Sequence, residues 1–164
     1  MHIGTQLSNL PFEATSNLKG HLIDFQGQWL VLFFYPKDAT SGCTLEGQDF
    51  RDKIQAFSNL NARVFGISRD NLKAHERFKE KEQFPFELIS DPEEALCKHF
   101  DVMKLKSIYG KQVRGIERST FLFDPEGVLR FEWRKVKVPG HVEEVLTTLK
   151  NLALVNVHTG KFKK

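Results

Sequence analysis

The chain has 164 residues, a formal net charge of +3, and 40% hydrophobic and 27% charged residues. That length fits one domain with room for a packed core, and the balance is that of an ordinary globular protein. So small a charge gives no argument for nucleic acid, and no apolar run reaches membrane-spanning length.

Residues 1–28, punctuated by Gly4, Pro11, Gly20 and Gly27, read as short strands and turns. Trp29 to Tyr35 is continuously apolar, the pattern of a central strand buried on both faces, and Pro36 ends it. After the loop Lys37 to Gly42 the pattern turns helical from Cys43 to about Leu60, with Phe50, Ile54 and Phe57 on one face. Arg63 to Ser68 reads as a second buried strand. Asp70 or Asn71 can cap a helix running to about Gln83. Phe86 to Ile89 is a short strand. Ser90-Asp-Pro then opens a helix that carries Cys97 and ends near Phe100. Residues 101–117 read as loop. Arg118 to Phe123 and Val128 to Val136 form two strands joined by the tight turn Asp124-Pro-Glu-Gly127, and Gly140 to about Leu152 is a last helix. Lys161, Lys163 and Lys164 belong to a tail, 151–164, that reads as a solvated terminus.

Strands first alternate with helices, which implies parallel pairing, and the late hairpin adds antiparallel strands. The expected architecture is α/β: one domain with a central mixed sheet, helices on both faces and the plan of a thioredoxin-like fold. The 15 phenylalanines predict a core filled largely by aromatic rings.

The two cysteines, Cys43 and Cys97, match no zinc spacing and are too few for a disulfide scaffold. No basic segment followed by an apolar one opens the chain, so a cytoplasmic location is expected, where a thiol stays reduced unless chemistry uses it. Cys43 falls where a buried strand has ended and a helix begins. Helix N-termini present unpaired N–H groups and partial positive charge, which favour thiolate, the nucleophilic form. Thr40 can cap the helix by accepting the Cys43 N–H, or bond a substrate oxygen. Gly42 lets the backbone approach closely, and Pro36 stiffens the loop and shields one side. The loop setting argues against burial of Cys43. Pattern alone leaves two readings open, an activated thiol and an inert small hydrophobe.

Pro36-Lys-Asp-Ala-Thr40-Ser-Gly-Cys43 resembles the P-x-x-x-T-x-x-C active-site motif of peroxiredoxins. The longer run Phe34 to Glu46 is similar to the PrxQ, or bacterioferritin comigratory protein, subfamily. The likeness continues through Val64 to Ser68, Leu88 to Pro92 and Arg118 to Asp124, covering about residues 3–150. The resemblance implies a thiol peroxidase acting on hydrogen peroxide and organic hydroperoxides, serving antioxidant defence. Cys43 would be the peroxidatic cysteine that becomes a sulfenic acid. Thr40 would hydrogen-bond the peroxide, and Arg118 would hold the thiolate and polarise the peroxide. That role suits a guanidinium, which keeps its charge. Glu46 would orient Arg118 or the helix start. Taken alone, Arg118 also reads as a strand-edge surface cation, and Glu46 as a first-turn partner of the helix dipole.

Two positions depart from the subfamily pattern. Ser41 stands where a proline often precedes the Gly-Cys pair. Gln48 stands where many members place a resolving cysteine. Cys97 is then the only other thiol, and it reads either as that resolving group or as a packed residue beside Leu96 and Phe100. A Cys43–Cys97 bridge needs Cα atoms within about 7 Å. Otherwise an outside thiol reduces Cys43. The resemblance implies thioredoxin or a glutathione/glutaredoxin-type system, a monomer or at most a weak dimer, and no cofactor, since sulfur carries the redox chemistry. The six histidines show no metal-binding spacing. Three alternatives remain: a Cys/His hydrolase using His99 or His141, a dithiol oxidoreductase lacking its C-x-x-C, and a binding module with an inert thiol.

Overall fold

The structure is a computed structural model that describes residues 1–163, with side chains for 1–155. The strands are β1 (Pro11–Ala14), β2 (Lys19–His21), β3 (Trp29–Phe34), β4 (Ala62–Ser68), β5 (Glu87–Ser90), β6 (Met103–Ile108), β7 (Lys111–Ile116), β8 (Ser119–Phe123) and β9 (Leu129–Trp133). The helices are α1 (Ser41–Asn59), α2 (Leu72–Glu82), α3 (Ala95–His99) and α4 (His141–Lys163), with a 3-10 turn at Leu22–Phe25. Seven strands form one sheet in the order β2-β1-β5-β4-β3-β8-β9. β5, β4 and β3 run parallel, and the flanking pairs are antiparallel. This is the mixed sheet that the alternating pattern implies, and among the described residues no helix is long and apolar enough to cross a membrane.

β3 sits inside the sheet between β4 and β8, which explains why all six of its residues are buried. Side chains alternate across a strand. Val31 and Phe33 therefore face a cluster with Phe50 and Phe57 of α1, Phe78 of α2 and Val145 and Leu149 of α4. Leu30, Leu32 and Phe34 face a second cluster with Leu22, Leu96 and Cys97 of α3, and Phe100. Helices thus cover both faces. The rings interlock as the composition predicts: Phe33 stacks on Phe50 with centroids 4.4 Å apart, and Phe34 meets Phe121 edge to face at 5.7 Å. Each fully buried phenylalanine adds about 1.5–3 kcal/mol of transfer free energy.

Three expectations change. Residues 101–117 are not a loop, because β6 and β7 pair across a two-residue turn at Tyr109 and Gly110, both left-handed. The last helix continues past Leu152 to Lys163, so the tail extends α4. The side chains of Lys161 and Lys163, and all of Lys164, lie outside the described residues. The helix carrying Cys97 starts at Ala95 rather than beside Pro92, and the Asp91 carboxylate caps it by accepting the amides of Leu96 and Cys97 at 3.1 and 2.7 Å.

Candidate active site

The loop 36–40 leaves β3 and turns directly into α1. Thr44 makes the first hydrogen bond of the helix, to the Thr40 carbonyl at 2.9 Å. The amides of Ser41, Gly42 and Cys43 come before it, at the positive end of the helix dipole. Thr40 occupies the cap position, but its hydroxyl does not accept the Cys43 amide. It donates to the Lys37 carbonyl at 2.8 Å and thereby closes the loop on itself. That hydroxyl proton is committed, while its oxygen lone pairs face away from the bond and can accept.

Cys43 is 2% exposed, so the sequence expectation of an unburied thiol is corrected. The sulfur belongs to the helix-side core with Phe33, Tyr35 and Phe50. It is not surrounded by hydrocarbon alone. Arg118, just before β8, crosses from the neighbouring strand and donates from Nη2 to Cys43 Sγ at 3.5 Å and from Nη1 to Glu46 Oε1 at 2.7 Å. The fork geometry of a guanidinium allows one side chain to hold both groups. Gly42 makes room for it, since a Cβ there would lie 3.1 Å from Arg118 Nη2. Burial works against the Arg118 charge, but Glu46 and then Cys43 outweigh it and push its pKa further above the ordinary value. Pro36 lies beside Arg118 in the wall of one cleft.

Behind this group lies a second layer. Glu46 is fully buried, and its Oε2 has no hydrogen-bond partner among the described residues. Burial pushes its pKa up to about 7, although Arg118 pulls the other way. His141 Nε2 lies 4.0 Å from that oxygen and shares a 2.8 Å hydrogen bond with the Thr120 hydroxyl. Burial holds the His141 pKa down at about 4. A neutral imidazole beside a partly protonated carboxyl makes that 4.0 Å contact a polar one rather than an ion pair.

The loop is also clamped from the core, which the sequence reading missed. The Asp38 carboxylate accepts from the Tyr35 hydroxyl at 2.6 Å and faces His75 Nδ1 at 2.6 Å. The Asp38 amide donates to Asp70 Oδ2 at 3.0 Å, and the Ser68 hydroxyl bonds the same oxygen. His75 Nε2 meets the Ile89 carbonyl at 2.9 Å. A carbonyl only accepts, so Nε2 carries a hydrogen. The loop is therefore tied to the C-terminal ends of β4 and β5 and to α2. The available signal was an aspartate inside the quoted motif, with a lone histidine on the apolar face of the next helix but one strand away. Asp38, Asp70 and His75 offer three ligand atoms close together, yet each already has internal partners.

Cys97 lies in the other cluster, 0% exposed, with the sheet between it and Cys43. Burial first, then the neighbouring Asp91 carboxylate, pushes its thiol well above the usual range. His99 is on α3, beside Phe100 in that cluster and away from Cys43.

The chain and its fold have counterparts among known proteins. Residues 3–132 match the model of the AhpC/TSA family. The chain belongs to that family. It is 51% identical over 142 residues to peroxiredoxin Bcp of Xanthomonas campestris, covering 87% of this chain and 89% of that one. It is 48% identical over 153 residues to peroxiredoxin Bcp of Bacillus subtilis, covering 93% and 98%. Among solved structures, a cysteine-to-serine variant of Xylella fastidiosa PrxQ superposes with a TM-score of 0.89 at 47% identity, covering 93% and 98%. The Xanthomonas campestris bacterioferritin comigratory protein, solved in a study of its alkyl peroxide reduction activity, gives 0.85 at 48% identity over 90% and 98%. Membership and likeness to solved structures together confirm the thioredoxin-like fold expected from the element order.

Proposed function

We propose that the protein is a thiol peroxidase that reduces hydrogen peroxide and organic hydroperoxides through Cys43. The observation that carries this reading is the Arg118 fork, which donates to Sγ while anchored on Glu46. The thiolate sulfur attacks one peroxide oxygen. The O–O bond breaks, its electron pair leaves with the other oxygen, and that oxygen takes a proton to depart as water or an alcohol. Sulfur is oxidised to the sulfenic acid. The guanidinium stabilises the thiolate before attack and the developing oxyanion during it. Thr40 is assigned to accept the peroxide O–H, and Pro36 to wall the site. Two electrons from external thiol then restore Cys43, with the enzyme acting as a cytoplasmic monomer.

The 2% exposure of Cys43 favours the rival reading, a binding module with an inert thiol. A cation held against the sulfur favours the peroxidase. In the test, reduced protein receives one equivalent of hydrogen peroxide. Loss of the peroxide within seconds, with one oxygen atom gained on Cys43 by mass spectrometry, supports the peroxidase. Full activity in Cys43→Ser would sink it.

A further inference from the structure

The cleft beside Arg118 has a volume of about 760 Å³, and Pro36, Arg118, Glu117, Lys104, Lys106 and Lys135 line it. Four cations meet one acid there. Lys104 is paired with Asp101 at 3.2 Å, whereas Lys106 and Lys135 have no ion-pair partner among the described residues. The strand pair that forms one wall, residues 102–116, contains no acidic residue at all. Lys135 holds a left-handed backbone conformation with φ 49°, an uncommon state for a non-glycine residue. The next amide, Val136 N, donates to the Arg118 carbonyl at 3.0 Å and fixes that turn to the strand bearing the guanidinium. Leu105 and Val136 complete the lining with apolar surface. Arg118 is both a wall of the cleft and a donor to Cys43 Sγ, so a molecule seated there lies one side chain from the sulfur.

Besides Cys43 the chain offers no thiol on this face, since Gln48 follows on α1 and Cys97 is beyond the sheet. We infer that the cleft is a docking site for a small thiol that carries carboxylates, and that this anionic thiol reduces the oxidised Cys43. The inference rests on the peroxidase reading above. The first thiol attacks the sulfenic sulfur: an S–S bond forms, the S–O bond breaks, and hydroxide leaves with the thiol proton as water. A second thiol attacks the mixed disulfide on its own kind. It yields the small-molecule disulfide and reduced Cys43, so two thiols supply the two electrons.

The experiment pre-oxidises the protein with one equivalent of hydrogen peroxide and then mixes it with 3-mercaptopropionate, 2-mercaptoethanol or cysteamine. These carry negative, zero and positive charge, and rates are compared per thiolate. At ~10 mM ionic strength the anion is expected to react about tenfold faster than the neutral thiol, the low end of electrostatic steering. At ~0.5 M salt the advantage should shrink towards unity, because exposed charges are screened. A Lys106→Glu, Lys135→Glu double variant should reverse the order in favour of cysteamine. Rates indifferent to thiol charge and to salt would overturn the inference, as would reduction by a protein dithiol alone. Failure of the peroxide itself to oxidise Cys43 sinks the peroxidase reading instead, and the first mixing step reads that separately.

Discussion

Glu46 and His141 sit 4.0 Å apart with pKa values moved in opposite directions by burial. Glu46 is raised from 4.5 to about 7, so the folded state holds its proton more tightly than the unfolded chain does. Its contribution is fully present below pH 4.5 and is lost as pH rises through about 7. His141 is lowered from 6.5 to about 4, so its contribution is present above pH 6.5 and is lost as pH falls through about 4. Between these limits the two slopes, each at most about 1.4 kcal/mol per pH unit, oppose one another. Wild type should therefore show a flat stability profile from this pair across mildly acid pH. In Glu46→Gln the His141 slope is unmasked and stability climbs from pH 4 to 6.5; in His141→Asn the Glu46 slope is unmasked and stability falls from pH 4.5 to 7. Urea unfolding at closely spaced pH values reads the slopes, and parallel profiles in all three proteins would rule the assignment out. In the sequence, Glu46 was visible as a partner for Arg118. Its burial was not: the helix starts at Ser41 rather than Cys43, which takes Glu46 out of the first turn and onto the buried face of α1.

At the scale of the elements, the turn from β3 into α1 is held by hydrogen bonds rather than by its own sequence. Ala39 takes a left-handed conformation with φ 63°, which costs about 1–2 kcal/mol for an L-residue. The Asp38 contacts with Tyr35, His75 and Asp70 offset that cost and fix where α1 begins, with Cys43 in its first turn. Burial and the Asp38 carboxylate also push the Tyr35 pKa well above its ordinary value, so the phenol stays a donor. Replacing His75 with Leu keeps volume but removes the imidazole that bridges Asp38 and the Ile89 carbonyl. It should cost about 1–3 kcal/mol, the range for leaving a buried hydrogen-bonding group without its partner. Asp38→Asn is the milder probe. It keeps an acceptor for Tyr35 but faces His75 less well, and a shift of the loop near 1 Å would slow the peroxide reaction by on the order of 10²-fold. Stopped-flow oxidation of this variant tests the clamp, with thiol titration to show that Cys43 is intact. An oxidation rate equal to wild type would show that the clamp does not position the sulfur. The main elements were readable because apolar periodicity reports burial directly, as in Trp29–Phe34 and in Phe50, Ile54 and Phe57. The β6–β7 pair was not, because it joins no other strand and its residues are mostly exposed. Its turn also carries Tyr109-Gly110 rather than the Asn-Gly or Asp-Gly that marks such a turn.

Across the whole molecule, the sheet decides what can follow oxidation of Cys43. Alternation along β3 sends Phe33 to the cluster of Cys43 and Leu32 and Phe34 to that of Cys97, so a disulfide between them would have to pass through a layer of buried backbone and aromatic rings. Unwinding the start of α1 would not carry Cys43 around the sheet edge, because Cys97 is itself enclosed by Leu96, Phe100 and Phe121. The Cys97 thiol is moreover held away from its thiolate form, the form that attacks. We therefore assign Cys97 to packing, and propose that resolution is intermolecular. After one equivalent of peroxide, mass spectrometry should find the sulfenic acid on Cys43 or its adduct with added thiol, and no intramolecular disulfide. Cys97→Ala should turn over like wild type while losing about 1 kcal/mol of stability for the vacated volume. A disulfide in wild type that vanishes in Cys97→Ala would contradict this, and would require the two faces of the sheet to exchange residues during the catalytic cycle.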